Sequence, residues 1–233
     1  MARSINLIDR INNIKCRIKT TAVSCGRNPE TIRLVAVSKT KPAHMVEEAI
    51  KAGAKNLGEN YIQEADKKIS SLSQYAVSWH FIGHLQSNKA KYAVRLFDLI
   101  HTVDTMKLAR EIDKHAKKIN KIQNILIQVN IGKETLKSGV DEKDAENLIK
   151  EISPLRNLSI KGLMAIPPYF DDPEKTRPYF KALFDLKTLI NKKAIPNVSI
   201  NELSMGMTND YTIAVEEGST LVRVGTAIFG KRD

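Results

Sequence analysis

The chain has few cysteines and no long apolar run. Its 233 residues include two cysteines, Cys16 and Cys25, nine positions apart on one predicted helix. That spacing turns their side chains to different faces, so an internal disulfide is not expected. No stretch approaches the roughly 18 consecutive apolar residues of a membrane span. The N-terminus also lacks the apolar core and cleavage site of a signal peptide. We therefore expect a cytoplasmic protein with reduced thiols and no membrane association.

Aromatic residues are also scarce, at 6% of the chain, while the formal net charge is +11. A basic protein can bind nucleic acid. Here, however, the lysines are scattered over every predicted helix, and no aromatic stacking platform lies among them. We therefore expect no specific nucleic-acid binding. An attraction for small phosphorylated anions agrees better with this diffuse charge.

The sequence does show a regular alternation of apolar, strand-like segments and amphipathic, helix-like segments. A helix over residues 4–25 comes first. Eight predicted strands follow, over residues 34–38, 56–58, 79–83, 99–103, 125–129, 160–165, 198–203 and 221–224. Helical patterns separate them, for example over residues 42–52, 61–72, 105–120, 141–152, 173–191 and 209–217.

Eight strand-then-helix units with short links predict a parallel sheet, and eight strands close into a TIM (β/α)8 barrel. A doubly wound open sheet is the alternative, but no Gly-x-Gly-x-x-Gly follows the first strand. The hydrophobic content of 42% suffices for one core, and no internal repeat or domain boundary is visible. We expect a single α/β domain over residues 1–233, with an extra N-terminal helix.

Lys39 directly follows the first predicted strand and precedes the turn signal Lys41-Pro42. Most lysines stay in water, because burial of an ammonium group is costly. Partial desolvation at a strand end would favour the neutral amine, which is the nucleophile of Schiff-base chemistry. The alternative is a lysine that extends from the strand end into solvent and has no chemical role.

The other predicted strand ends carry small and polar residues, and function in barrels collects at such ends. They lack a carboxylate cluster, a His/Cys set with metal-ligand spacing and a Gly-x-Ser-x-Gly elbow. The loops after the last two predicted strands carry Ser204, Gly206, Gly225 and Thr226. Hydroxyl and backbone N–H groups of this kind suit a phosphate dianion, although a glycine there can also simply end a strand.

Arg223 lies between two valines on the last predicted strand and points into the barrel mouth if the valines face the helices. It could form an ion pair inside the barrel, for example with Glu202. It could instead face the nitrogen of a pyridine ring, where its permanent charge disfavours ring protonation. Asn60 and His84 could each orient a ligand hydroxyl or cap the helix that follows. Met205 is typical of a packing residue.

Seven motifs are spread over nearly the whole chain. They are AVSKTKP at 36–42, GENY at 58–61, WHFIGHLQSNK at 79–89, KSG at 137–139, GLMA at 162–165, LSMGM at 203–207 and RVGTAIFG at 223–230. In this combination and order, the chain resembles the YggS/PROSC family of pyridoxal 5′-phosphate (PLP) homeostasis proteins.

The resemblance implies a barrel of the alanine racemase N-terminal type, with PLP held as an internal aldimine on Lys39. It also implies phosphate contacts from Ser204, Gly225 and Thr226, and a place for Arg223 near the ring nitrogen. Members of the family usually have Ser where Thr208 stands, and Thr keeps the hydroxyl. The candidate cofactor-binding residues are Lys39, Asn60, His84, Ser204, Met205, Arg223, Gly225 and Thr226.

Two functions follow from the resemblance. The first is a carrier without enzymatic turnover, which buffers PLP in vitamin B6 homeostasis and passes it to PLP-dependent apo-enzymes. The second is a racemase-like enzyme of low activity. Racemases of this fold type use a second, β-rich domain to dimerise and to supply a tyrosine base. The sequence ends soon after the eighth predicted strand, so we expect that domain to be absent. The predicted helices show no extra apolar face, so we expect a monomer or a weak dimer. A solvent-open site without an opposing base favours the carrier.

Overall fold

Eight parallel strands close into a barrel in the computed structural model, which describes residues 6–132, 134 and 138–230. Nine strands are described, of which eight form the barrel and the short β6 is additional. They are β1 (Arg33–Val37), β2 (Asn56–Glu59), β3 (Ser78–Phe81), β4 (Leu99–Val103), β5 (Gln123–Asn130), β6 (Val140–Asp141), β7 (Leu158–Met164), β8 (Glu202–Ser204) and β9 (Leu221–Val224). Their order is β4-β3-β2-β1-β9-β8-β7-β5-β6, and the pairing of β4 with β5 closes the barrel. The two-residue β6 extends the sheet at the end of β5.

Helices surround the barrel. Those of the described residues are α1 (Leu7–Ser24), α2 (Ala43–Lys51), α3 (Ile62–Ser71), α4 (Ala90–Leu96), α5 (Met106–Lys118), α6 (Ala145–Ile152), α7 (Arg177–Lys192), α8 (Tyr211–Glu216) and α9 (Thr226–Phe229). The Asn6 side chain caps α1 by accepting a hydrogen bond of 2.8 Å from the Asp9 N–H. Since α1 packs against α2, α8 and α9, it covers the side of the barrel where β1 pairs with β9.

The apolar core has two parts. The larger part lies between the strands and the helices and includes Val222 and Val224. The smaller part lies inside the barrel and contains Val35, Leu99, Leu126, Met164 and Leu221. Because side chains alternate along a strand, Arg223 faces the barrel interior while its two valine neighbours face the helices. Polar side chains therefore share the interior with a small apolar layer.

The structure confirms the predicted single-domain α/β barrel with its N-terminal helix. Residues 4 and 5, predicted as the start of that helix, lie outside the described residues. The predicted strand over 198–203 was wrong at its start, because β8 begins only at Glu202. Asn197 has a φ of 61°, and the Val198 N–H donates to the Ile195 carbonyl oxygen at 3.1 Å, so a turn occupies that segment. The helix α4 lies between the third and fourth predicted strands, an interval for which no helix bounds were predicted from the sequence.

The described part of the chain lacks two features, a membrane-spanning helix and a metal-binding cluster. No helix there is long and apolar enough to cross a membrane. Among the same residues, no group of three or more His, Cys, Asp or Glu side chains could hold a metal ion.

Candidate functional site

A cavity of about 420 Å³ opens at the C-terminal ends of the barrel strands. Its volume lies within the range of small-molecule sites in proteins. Residues that follow six of the strands line it, namely Lys39, Asn60, Ile82, Ile166, Thr208 and Thr226. This is the face of a (β/α)8 barrel at which function collects.

The pairing of β1 with β9 brings Lys39 and the Gly225-Thr226 turn to the same cavity. In this pair Ala36 lies opposite Val224, so the segments that follow both strands leave the barrel at one edge. Lys39 is partly buried there. Two segments from opposite ends of the sequence thus supply one amine and one small, hydroxyl-bearing turn to a single site.

Two threonine hydroxyls meet beside Gly225. Thr226 Oγ1 donates to Thr208 Oγ1 at 3.1 Å, and both residues line the cavity. Thr226 also begins α9, and the first N–H groups of a helix have no partner within it. Hydroxyl and backbone N–H donors gathered in this way suit an anion such as phosphate.

Asn60 offers an unsatisfied acceptor at the cavity. Its Oδ1 is buried and has no hydrogen-bond partner within the described parts of the chain. A buried acceptor left unpaired costs about 1–3 kcal/mol. A ligand that donates a hydrogen bond to this oxygen would remove the cost, so the cavity is suited to a polar ligand.

Arg223 reaches the cavity from the barrel interior, where it is 4% exposed. Its Nη1 donates to Ser204 Oγ at 2.6 Å, and its Nη2 donates to the Ala165 carbonyl oxygen at 3.0 Å. Burial lowers the pKa of Arg223 to about 10, although the negative charge of Asp210 acts to raise it. The guanidinium therefore stays charged at neutral pH.

The ion pair considered between Arg223 and Glu202 does not form. Glu202 Oε1 instead accepts from Arg33 Nη2 at 2.6 Å. Among the residues that the structure describes, the hydrogen-bond acceptors of the Arg223 guanidinium are thus a hydroxyl and a carbonyl oxygen, and no carboxylate is bonded to it.

A chain of hydrogen bonds continues from Ser204 across the barrel interior. Ser204 Oγ lies 2.8 Å from His101 Nδ1, and His101 Nε2 lies 3.0 Å from His80 Nδ1. His80 Nε2 lies 3.2 Å from Ser78 Oγ. A guanidinium can only donate, so Ser204 accepts from it and its own hydrogen is available to His101. Every hydrogen bond of the chain then has one donor and one acceptor: His101 Nε2 donates to His80 Nδ1, and His80 Nε2 donates to Ser78 Oγ. Both imidazoles are thus assigned a hydrogen on Nε2.

Both imidazoles in this chain are neutral. Burial lowers the pKa of His80 to about 3, and the nearby Arg33 charge adds to the shift. Burial also lowers the pKa of His101 far below its usual range, and the nearby charges of Arg223 and Arg33 add to the shift. The two histidines are therefore interior hydrogen-bonding residues.

Three of the predicted site residues do not line the cavity in this structure. Ser204 is the last residue of β8 and points inward, fully buried against Arg223. Met205 faces the opposite way, into the core between strands and helices. The loop after β3 places His84 outside the cavity, in a separate exposed groove. Its Nδ1 lies 3.2 Å from Ser138 Oγ.

The remaining predicted residues are brought together at the cavity, and one was missed. Those that line it are Lys39, Asn60, Arg223, Gly225 and Thr226. The missed residue is Thr208. The sequence did point to it, because members of the resembled family usually have Ser at this position. Lys137 of the KSG motif lies outside the described residues.

Known proteins resemble this chain over nearly its full length. The alanine racemase N-terminal domain family matches residues 11–233. A pyridoxal phosphate homeostasis protein of Aquifex aeolicus is 41% identical over 228 residues, which cover 98% of this chain and 99% of the relative. Another, from Escherichia coli strain K12, is 40% identical over 235 residues, which cover 98% and 97%.

Solved structures agree with these relatives. PipY of Synechococcus elongatus with PLP bound has a TM-score of 0.85 at 34% identity, covering 97% of this chain and 100% of PipY. Alanine racemase of Clostridium difficile shares the fold, with a TM-score of 0.74 at 14% identity, covering 97% of this chain and 57% of the racemase. Sequence, fold and relatives therefore agree that the chain belongs to the pyridoxal phosphate homeostasis proteins, within the alanine racemase N-terminal domain family.

Proposed function

We propose that the cavity binds pyridoxal 5′-phosphate and that the protein carries this cofactor for intracellular PLP homeostasis. The observation that carries the proposal is that Lys39 and Thr226 meet at one cavity because β1 pairs with β9. An amine and an anion-binding turn are the two features that an aldehyde phosphate requires. The relative PipY, which has the same fold, binds PLP.

Each polar group at the cavity has a role in this proposal. The hydroxyls of Thr208 and Thr226, with the backbone N–H groups at the start of α9, hold the phosphate. The unpaired Asn60 Oδ1 accepts a hydrogen bond from the ring hydroxyl. Arg223 donates to the ring nitrogen and, being charged itself, disfavours protonation of that nitrogen.

Lys39 is the proposed point of covalent attachment. When bound, the cofactor supplies an aldehyde carbon, which forms a carbon–nitrogen double bond with the amine as one water molecule leaves. Lys39 lines the cavity beside the proposed phosphate site, and it is partly shielded from solvent. An incoming amine could form the carbon–nitrogen double bond in place of Lys39, which would leave as the free amine. This exchange would give a carrier its release step.

We propose carriage rather than turnover of amino acids. A guanidinium at the ring nitrogen withholds the proton that makes a pyridine ring an effective electron sink. The homologues from Aquifex aeolicus and Escherichia coli are named as homeostasis proteins. We further propose that the protein acts as a monomer in the cytoplasm, that PLP-dependent apo-enzymes receive the cofactor, and that nucleic acid is not a specific partner.

The proposal is tested by titrating cofactor-free protein with PLP and recording the visible absorption spectrum after dialysis. We expect the wild type to keep a stable visible band and Lys39→Ala to lose it. The matched control is Lys41→Ala, since Lys41 lines the same cavity. We expect this control to keep the band. A wild type that returns to colourless on dialysis would contradict the proposal.

A further inference from the structure

A buried group of charged side chains lies beside the main chain at Lys39. Lys68 of α3 donates from Nζ to Glu59 Oε1 at 2.8 Å and to Glu64 Oε1 at 2.6 Å. The Lys68 side chain is 5% exposed and that of Glu59 is fully buried. Charged side chains are rarely buried this deeply, and such a pair often adds little to stability because desolvation offsets the attraction. Fold stability alone is therefore a weak reason for this group.

The group is bonded to the main chain immediately before Lys39. Lys68 Nζ donates a third hydrogen bond, of 2.6 Å, to the Ser38 carbonyl oxygen. The Ser38 hydroxyl donates to Glu59 Oε1, also at 2.6 Å. All three hydrogens of the Lys68 ammonium thus have acceptors. The hydrogen bond to the Ser38 carbonyl oxygen fixes the peptide group between Ser38 and Lys39.

The same group is bonded to the main chain immediately after Lys39. The Thr40 N–H donates to Glu64 Oε1 at 2.6 Å. Thr40 has a φ of 65°, in the left-handed region that β-branched residues rarely adopt. The bond to Glu64 holds this conformation, in which the chain changes direction directly after Lys39.

We propose that Glu59, Glu64 and Lys68 are positioning residues for Lys39. They fix the carbonyl group before it and the amide group after it, and so fix the direction in which its Nζ enters the cavity. None of the three is among the residues that line the cavity, so they act through the main chain and not on the ligand. The inference rests on the proposed function, and it gives the GENY motif a role for Glu59 as well as for Asn60.

The proposal separates two steps of cofactor capture. The proposed phosphate site lies after β8 and β9, whereas the charged group is built from the ends of β1 and β2 and from α3. Loss of the group should therefore slow attack by Lys39 and leave the first, phosphate-dependent encounter largely unchanged. A merely structural role would weaken both steps or destabilise the whole barrel.

The test is rapid mixing of cofactor-free protein with PLP at increasing concentration, followed by visible absorbance. The saturating rate reports the covalent step, and the half-saturating concentration reports the encounter. The variants are Lys68→Met, which removes the ammonium, and Glu64→Ala, which removes a side chain that is partly exposed. Because Lys68→Met alone leaves Glu59 buried without a cation, the double variant Glu59→Gln/Lys68→Met is measured beside it.

We expect the saturating rate to fall about tenfold or more in these variants, since misplacement of a reacting group is costly, with the half-saturating concentration unchanged within about threefold. The control Lys150→Met, which removes an exposed ion pair with Glu146 on α6, should leave both quantities unchanged. Without any cofactor, the Thr40 amide should exchange its hydrogen faster in Glu64→Ala than in the wild type.

Two outcomes distinguish the failure of this inference from the failure of the proposed function. Folded variants that capture PLP at the wild-type saturating rate, or that lose rate and encounter affinity in parallel, would overturn the positioning role alone. A wild type with no saturable capture would overturn the proposed function, and the positioning role with it.

Discussion

Arg223 donates a 2.6 Å hydrogen bond to Ser204 inside the barrel, and this bond sets the direction of the guanidinium. The serine is itself held by the imidazole of His101 at 2.8 Å. The second acceptor of Arg223 is a main-chain carbonyl oxygen, so neither of these two bonds joins the guanidinium to a carboxylate. We therefore expect Ser204 to affect the ligand site through Arg223.

The first prediction compares the two hydroxyls at 204 and 226. Ser204→Ala is expected to destabilise the protein by about 1–3 kcal/mol, because it removes an acceptor from a buried cation. Thr226→Val is expected to weaken PLP binding by about 1–3 kcal/mol, because it removes a donor to a charged group. Urea unfolding and equilibrium titration measure the two quantities. A larger loss of PLP affinity in Ser204→Ala than in Thr226→Val would return the phosphate role to Ser204.

A second prediction concerns the phosphate of the cofactor. Unphosphorylated pyridoxal is expected to bind at least about 100-fold more weakly than PLP, because several charge-assisted hydrogen bonds near Thr208 and Thr226 are lost. Equilibrium titration with both compounds measures the ratio of their dissociation constants. Similar constants would mean that the turn after β9 does not hold the phosphate.

Much of the fold and part of the site could be predicted from the sequence. Parallel strands in a barrel end at one face, so strand ends alone placed Lys39, Asn60 and Thr226 together. Ser204 was misplaced because the predicted strand stopped at residue 203, whereas β8 includes Ser204 and turns its side chain inward. The side-chain direction of a residue that belongs to the strand follows the alternation of the strand, whereas that of a loop residue does not.

The charged group beside Lys39 could not be predicted in this way. Glu59 and Lys68 lie nine residues apart, one on a strand and one on a helix, and no periodicity joins such a pair. Their contact depends on how α3 packs against β2, which is decided by tertiary structure. Lys68 looked like any solvated helical lysine in the sequence.

The interior histidines predict a pH dependence of stability. The folded-state pKa of His80, about 3, lies below the unfolded value of about 6.5, so the unfolded state takes up protons first as the pH falls. The free energy of unfolding should therefore decrease from about pH 6.5 downward, by up to ~1.4 kcal/mol per pH unit for each buried histidine.

His101→Gln is expected to make this pH dependence shallower, because one of the two buried imidazoles is removed. Urea unfolding at pH values between about 4 and 7 measures the slope. His44→Gln, on an exposed position of α2, serves as the control and should keep the wild-type slope. An unchanged slope in His101→Gln would contradict the buried, neutral state of this imidazole.

The carrier proposal predicts no sustained turnover of amino acids. Incubation of the PLP-loaded protein with L-alanine in deuterated water should give no D-alanine and no repeated deuterium exchange at the α-carbon. The physical reason is the charge of Arg223, which disfavours a protonated pyridine ring and so weakens stabilisation of a carbanion. Rapid exchange over many turnovers would support the racemase-like alternative.

The most direct test of the central claim is to identify the residue that binds PLP covalently. The PLP-loaded wild-type protein is reduced with borohydride, digested and mapped by mass spectrometry. We predict one dominant pyridoxyl label, on Lys39, and its loss in Lys39→Ala with only a small change in melting temperature. A dominant label on another lysine of the unmutated protein, such as Lys41 or Lys137, would contradict the account.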